Sequence, residues 1–292
     1  TRDGYTFAGW YTNAACADDQ AFRFDASSVM PSEDLTLYAK WTGAARSYTL
    51  NHYVMGTDGQ YALKWTDYNQ PSATGAELTL ADLVKSSLLE DGISYQEGKV
   101  GNSLVATYVI PATGAVTIDL YYMRAQHTVS FESDGGSSVD SQEVYHGGKA
   151  AQPTAPEKTG YTFVGWYQDA NRLTAWSFTS DTVTETTTLY AKWSPKTYAI
   201  TYEGVNGAAH GENHPTSHTY GQSTAISDPS RTGYTFEGWQ INGGTAQKNL
   251  TLAADGYTDA ITLTAAWKVV TYPIAYDLGD GVTDPGNPTS YT

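Results

Sequence analysis

A segment of the form Gly-Tyr-Thr-Phe-x-Gly-Trp occurs three times in this chain, and it constrains the fold more than any other feature. The three copies begin at Gly4, Gly160 and Gly233. Each copy is followed by an alternating apolar and polar run that a second tryptophan closes, at Trp41, Trp193 and Trp267. Self-similarity at this scale predicts a series of small copied domains. Chains of this kind usually reach, space or bind, so we expect no enzyme.

The start of each repeat can be aligned as well as its end. Similar opening strands with a Gly-containing turn follow one another at 127–131, 197–202 and 271–276. Residues 127–193 and 197–267 are therefore two complete repeats, while 1–41 and 271–292 are a back half and a front half. The predicted domains are 1–42, 43–125, 126–195, 196–269 and 270–292.

Aromatic residues explain how domains this small are stable. The chain has 23 Tyr and 8 Trp, and each buried aromatic side chain removes about 150–250 Å² from water. The single cysteine, Cys16, excludes an intrachain disulfide framework. We therefore expect each domain to depend on an aromatic core.

The charge of the chain excludes several classes of partner. A formal net charge of −15 is expected to repel nucleic acid, heparin-like polyanions and anionic membranes. No apolar run approaches the length of a membrane span, so we expect no membrane insertion of this chain. Because the chain opens and closes within a repeat, with neither a signal peptide nor an anchoring tail, we expect it to be part of a longer protein.

The closing runs of the repeats predict β-strands. Leu35, Leu37, Ala39 and Trp41 alternate with polar residues, which places them on one face of a strand. The lysine of this run becomes Ala266 in the last copy, so we expect it to face solvent. A short helical turn is expected near Phe178.

Residues 47–123 differ from the other repeats and contain the one predicted helix. Thr79 is its expected N-cap, and Gly92 is its expected end. An apolar stripe lies between them: Leu80, Leu83, Val84 and Leu88. Strands flank this helix on both sides, which predicts a mixed sheet with one face covered by the helix.

The paired motifs, Gly-Tyr-Thr-Phe-x-Gly-Trp-Tyr and Leu-Tyr-Ala-Lys-Trp, resemble the internalin B-repeat, also called the Listeria–Bacteroides repeat. The resemblance covers 1–41, 127–193, 197–267 and 271–292. Residues 47–123 resemble a mucin-binding-protein repeat through Ile93-Ser-Tyr95 and Ile118-Asp-Leu-Tyr-Tyr122. The copies depart from the pattern where Tyr167 becomes Gln240 and where Lys becomes Ala266.

The resemblance implies a fold and a location. The fold is an α+β, β-rich series of small β-grasp domains of ubiquitin or SUMO type. The short links between repeats predict that these domains form beads on a semi-extended string. The location implied is extracellular, at the surface or wall of a bacterial cell. The family has no catalytic residues to transfer to this chain.

The candidate contact residues are tryptophans outside the repeated positions. The repeated Tyr161, Phe163 and Trp166 are interpreted as core, with a carbohydrate-binding platform as the alternative. Trp65 and Trp176 are not required by repeated packing, so they are the predicted ligand contacts.

Two stretches carry metal-ligand residue types. His210, Glu212, His214 and His218 have side chains that bind zinc, but Gly211 and Pro215 favour a solvated turn. Asp277, Asp280 and Asp284 bear carboxylates, but their spacing is not that of an EF-hand loop. We therefore predict no metal, no cofactor and no catalytic residue.

The sequence thus predicts a stalk or spacer that displays distal domains for adhesion. The alternative is an adhesin that binds host glycans, mucin or glycoprotein through residues 47–123, or bacterial wall polysaccharide. A further expectation is head-to-tail self-association, in which 271–292 of one copy completes 1–41 of another by strand addition.

Overall fold

The fold is almost entirely β. The computed structural model describes residues 1–24, 32–280, 283 and 286–292. Within these ranges the chain forms 23 β-strands, three short 3-10 helices and no α-helix. The predicted α+β class, with ubiquitin-like β-grasp domains, is therefore wrong.

The four longest strands in the first half of the chain, of 8 to 13 residues, belong to one main sheet. The strands are β1 Tyr5–Tyr11, β2 Ala21–Phe22, β3 Tyr38–Gly43, β4 Ala45–Met55, β5 Tyr61–Ala73, β6 Glu77–Thr79, β7 Ile93–Val100, β8 Ser103–Leu104, β9 Thr107–Val109, β10 Thr117–Arg124, β11 Gln126–Glu132 and β12 Gln142–Tyr145. The 3-10 helices are Asp18–Gln20, Leu80–Leu83 and Ser86–Leu88.

The second half of the chain repeats the pattern of long motif strands separated by short ones. Its strands are β13 Tyr161–Tyr167, β14 Thr187–Pro195, β15 Thr197–Glu203, β16 Ser217–Thr219, β17 Thr224–Ala225, β18 Tyr234–Ile241, β19 Ala246–Gln247, β20 Thr251–Leu252, β21 Ile261–Val269, β22 Tyr272–Pro273 and β23 Ser290–Tyr291.

The chain divides into two compact units, and each is described by itself. The N-terminal unit is Thr1–Val129, Ser141–Gln152 and Ser177–Thr187. The C-terminal unit is Ser130–Asp140, Pro153–Trp176 and Thr188–Thr292. The five predicted domain boundaries stay a prediction.

The main sheet of the N-terminal unit has the order β5-β4-β10-β7-β8. Its centre is mixed, because β10 pairs with β4 in parallel and with β7 antiparallel. Alternate residues of β10 point into the core: Ile118, Leu120 and Tyr122 are each 0% exposed. Period-two alternation, which predicts strands, here separates core from surface.

The predicted helix at 79–92 is wrong. Thr79 makes no side-chain cap hydrogen bond, and the first 3-10 turn ends at Val84, whose ψ of 130° is extended. The apolar stripe nevertheless packs against the core of the sheet, with Leu80 at 0% exposure and Leu83, Val84 and Leu88 partly buried. Ser86 and Ser87 favour turns over helix interiors. The backbone conformation of this segment is therefore determined by the packing of its apolar side chains and is not a regular helix.

The C-terminal unit contains an equivalent mixed sheet with the order β16-β15-β21-β18-β19. Strand β21 pairs with β15 in parallel and with β18 antiparallel. The core of this sheet includes Trp239, Ile261 and Leu263, each 0% exposed. In the N-terminal unit, the chain near Phe178 forms the expected short turn, in which Asp181 N–H donates to Ser177 O (2.9 Å).

Candidate functional site

The repeated aromatic residues form the same three-ring cluster in every copy. In each motif strand the phenylalanine lies opposite the closing tryptophan, as in Phe236 opposite Trp267. A bulge at the next glycine then brings the motif tryptophan onto the same phenylalanine. Ring centroids are 5.2–5.4 Å apart in all three copies, with edge-to-face geometry. The motif is thus a packing unit.

The exposed fractions of these side chains distinguish a role in the core from a carbohydrate-binding platform. Trp166 and Trp239 are 3% and 0% exposed, which confirms the core interpretation for them. In the first copy Phe7 and Trp10 are 44% and 39% exposed. That face is where the predicted head-to-tail pairing would bring residues 271–292, and the pairing stays a prediction.

The two departures among the copies belong to one contact. The Lys192 ammonium lies 4.7 Å from the centroid of the Tyr167 ring, and Lys40 lies 4.9 Å from that of Tyr11. In the last copy Gln240 and Ala266 take these two places. Loss of the ring and loss of the cation therefore occur together, as expected for a cation–π pair at the surface.

Trp65 lies on β5 with its ring 52% exposed. Its indole Nε1 donates to Asp67 Oδ1 at 2.7 Å. The Lys85 ammonium lies 4.9 Å from the ring centroid. The structure therefore presents a fixed indole beside a carboxylate and an ammonium, and Trp65 as a ligand contact stays a prediction.

A buried network positions Asp67 next to Trp65. Lys85 N–H donates to the Tyr122 hydroxyl (2.9 Å), so that this hydroxyl donates in turn to His52 Nδ1 (2.7 Å). His52 Nε2–H then donates to Asp67 Oδ2 (3.1 Å). Burial opposes ionisation of Asp67, but bonds from Trp65, Lys85 and His52 outweigh it and lower the pKa of the carboxyl.

The state of His52 predicts how the stability of the N-terminal unit depends on pH. Burial lowers the pKa of this fully buried imidazole below its ordinary value of 6.5. Above pH 6.5 both folded and unfolded chains are neutral at this residue, and stability is full. As the pH falls below 6.5 the unfolded chain binds the proton first, so stability is lost down to the folded pKa.

We therefore expect the melting temperature of the N-terminal sheet to fall between pH 7.5 and pH 5. Hydrogen exchange of the β4 and β10 amides, followed with temperature at each pH, measures it. The matched variant His52→Gln keeps a donor and an acceptor but does not titrate, and its pH dependence should be flatter. An equal slope in the variant would show that His52 is not the group responsible.

Trp176 is placed differently from Trp65. Its side chain is half-buried, and its Nε1 is a buried donor without an acceptor among the described residues. Its backbone N–H donates to Trp166 O at 2.8 Å. The structure thus places Trp65 on a surface and Trp176 beside the motif strand, and the ligand role of Trp176 is also still a prediction.

The three histidines of the suggestive stretch do not converge. His210 and His214 have ring centroids 3.8 Å apart, and His214 stacks on Tyr202 at 3.9 Å. His218 is instead fully buried, with Nδ1 bonded to the Thr224 hydroxyl at 2.8 Å. Burial, followed by the neighbouring His210, lowers the pKa of His214, and burial raises the pKa of Tyr202 to about 12. The rings of Tyr202, His210 and His214 thus form one aromatic cluster.

The aspartate stretch near the end of the chain is described in part. Asp277 Oδ1 accepts from Gly279 N–H at 3.2 Å, which is an ordinary turn contact. Asp284 lies outside the described residues. Across the ranges that the structure describes, no three His, Cys, Asp or Glu side chains converge as metal ligands.

Sequence reasoning missed His52, Tyr122 and Asp67 as a connected set. Their separation along the chain is large, and their contact depends on β4 lying beside β10 in parallel register. The only signal was a histidine at an inward position of a strand, since His52 follows Tyr48 and Leu50 at period two.

None of the helices among the described residues is long and apolar enough to cross a membrane.

Comparison with known proteins extends the resemblance beyond the motifs. A predicted Gly-rich membrane protein of Evansella cellulosilytica is 30% identical over 303 residues, covering 96% of this chain and 32% of that protein. A predicted membrane protein of the same organism is 29% identical, covering 82% of this chain and 34% of its own length. Internalin H of Listeria monocytogenes is 33% identical over 134 residues, covering 44% of this chain and 22% of that protein.

The chain spans about a third or less of the length of these relatives. The model of one family matches most of the chain, at residues 1–40, 127–192 and 198–266. These ranges contain the motif phenylalanine and motif tryptophan of all three clusters, stop one residue before each closing tryptophan, and leave out the divergent segment that carries Trp65. The chain belongs to the Listeria-Bacteroides repeat domain family.

Proposed function

We propose that this chain is a non-catalytic repeat region of a bacterial cell-surface protein, where it serves as a stalk that displays distal domains for adhesion. One observation carries the proposal. The repeated phenylalanine and the two repeated tryptophans form the same ring cluster in every copy, so packing accounts for the recurrence of these three side chains. Similarity to internalin H supports a location on the cell surface.

Display on a bacterial cell tests the stalk role. An epitope tag placed before Thr1 should become less accessible to antibody when residues 197–269 are deleted, because the spacer is shorter by one repeat. The substitution Trp65→Ala should leave accessibility unchanged. Equal accessibility with and without residues 197–269 would contradict a role in spacing.

A second candidate function is direct binding of glycans through residues 47–123. The half-exposed Trp65 ring, held beside Asp67 and Lys85, favours it, since an indole face stacks on a sugar ring while neighbouring polar groups bond its hydroxyls. Binding of the chain to mucin, host glycans and bacterial wall polysaccharide tests it. Saturable binding that Trp65→Ala abolishes would make the chain an adhesin, and absence of binding at millimolar ligand would leave the stalk.

A further inference from the structure

A glycine turn opens every copy of the motif. The turn consists of a basic residue, any residue, glycine and tyrosine. The tyrosine N–H donates to the backbone carbonyl of the basic residue at 3.0–3.2 Å. These turns are Arg2 to Tyr5, Lys158 to Tyr161 and Arg231 to Tyr234. Their glycines have φ of 75° to 77°, the left-handed value that the third position of such a turn requires.

A second glycine turn lies in the segment that follows each of three links between repeats. Its glycines are Gly75, Gly147 and Gly221, with φ of 75° to 85°. Each again occupies the third position, and the closing hydrogen bonds of 2.7–3.1 Å run from Ala76 to Ala73, from Gly148 to Tyr145 and from Gln222 to Thr219. The two kinds of turn face each other across these three links, at Ala44, Ala125 and Lys196.

One link residue fastens the two turns together with both of its backbone groups. Its N–H donates to the glycine carbonyl of the first turn (2.8 Å), and its carbonyl accepts from the second residue of the second turn (2.8–3.0 Å). In the first such arrangement Ala44 bonds to Gly4 and Thr74. In the second, Ala125 bonds to Gly92 and His146. In the third, Lys196 bonds to Gly160 and Tyr220. We call this arrangement the glycine joint.

Side chains close the joint on either side of these hydrogen bonds. The Tyr161 ring packs edge-to-face on Tyr220 at 5.5 Å. The Lys158 ammonium lies 4.8 Å from the centroid of the Tyr161 ring. A β-carbon at Gly160 would lie 2.3 Å from the Tyr220 ring, so only glycine permits this approach.

The divergent segment forms the same joint with different side chains. Its first turn is Glu90-Asp-Gly-Ile93, closed by Ile93 N–H to Glu90 O at 2.9 Å. Here tyrosine and the basic residue are both absent, and a β-carbon at Gly92 would lie 2.1 Å from the His146 ring. The backbone bonds and the glycine are thus common to all joints, whereas the cation and the tyrosine occur together.

We infer that the glycine joint is an interaction surface between consecutive repeats, and that its partner is the glycine turn of the next repeat along the chain. The surface accepts either repeat type because its bonds are made by the backbone. Each joint fixes its two neighbours in one orientation. The inference rests on the proposed stalk role only for the use of the joint, since a fixed angle between consecutive repeats suits a spacer.

Spin-label distances across one joint test this inference. The parent carries Cys16→Ser, with labels at Val164→Cys and Thr251→Cys, two exposed positions on either side of Lys196. We expect a single narrow distance distribution. Gly160→Ala and Tyr220→Pro, which removes the N–H that Lys196 O accepts, should each broaden it roughly twofold by releasing the joint as a hinge. The control Gly233→Ala has the same left-handed strain (φ +77°) but no atom within 4 Å of its β-carbon, and should remain narrow.

Protection of the Leu263 amide against hydrogen exchange shows that each variant is folded. A broad distribution in the parent, or a narrow one in Tyr220→Pro, would overturn the joint. Neither result affects the stalk proposal, which the display experiment decides. If glycan binding through Trp65 proved to be the function, the stalk proposal would be replaced, and the inference about the joint would be unaffected.

Discussion

Replacing Trp239 with alanine is expected to destabilise the sheet of residues 197–269 by about 3–5 kcal/mol, the usual cost of removing a fully buried tryptophan. The ring is 0% exposed and packs edge-to-face on Phe236 at 5.4 Å and on Tyr202 at 5.3 Å. Its Nε1 donates to Ser227 O at 3.2 Å. Hydrogen exchange of the β18 and β21 amides should rise with the loss.

Trp65→Ala is the matched control, because it removes the same side chain from a half-exposed position. It should change the protection of the β4 and β5 amides by no more than about 1 kcal/mol, the scale of an exposed cation–π contact. If the two substitutions had equal effects, the repeated tryptophans would not be the core of the repeat. Local exchange is the suitable measurement, since a chain of several sheets does not unfold in two states.

The repeat and its strands could be predicted from the sequence because the information is local. Period-two alternation from Ile261 to Trp267 places Leu263 and Ala265 inward, and the structure buries both. The identity of the three motif copies predicts that the clusters around Phe163 and Phe236 are alike, as they are.

The predicted helix failed for a reason that local sequence does not show. The apolar spacing from Leu80 to Leu88 suits a helix, but it also suits two 3-10 turns laid on a sheet. Tyr122, from a distant strand, accepts the Lys85 amide hydrogen that a helix would direct to its own carbonyl. Tertiary contact thus outweighs a weak local propensity.

The glycine joint also depends on contacts between segments. From sequence, Gly160 and Gly221 are two ordinary turn glycines, and only the position of Lys196 between them brings the turns together. The same holds for the surface near Trp65, where the carboxylate is fixed by His52 from a neighbouring strand. Sequence therefore locates the repeats well, and locates the contacts between them poorly.

Gly238→Ala should destabilise the last repeat by more than about 3 kcal/mol, because backbone strain of about 1–3 kcal/mol adds to a collision. This glycine forms the bulge of the motif strand with φ +143°. A β-carbon there would lie 2.5 Å from Gln247 N and 2.9 Å from Ala246 C. These atoms belong to the backbone of β19, which must move away and lose its pairing with β18.

Gly165→Ala separates strain from collision. Gly165 occupies the equivalent bulge with φ +157°, but the nearest atom to its β-carbon would be Tyr167 Cε2, at 3.9 Å. We expect a loss of about 1–3 kcal/mol from strain alone, measured by hydrogen exchange of the β13 and β14 amides. The Gln247 amide should become unprotected in Gly238→Ala. Equal losses in the two variants would mean that the bulge requires glycine for its φ angle, and that the close approach of β19 contributes nothing.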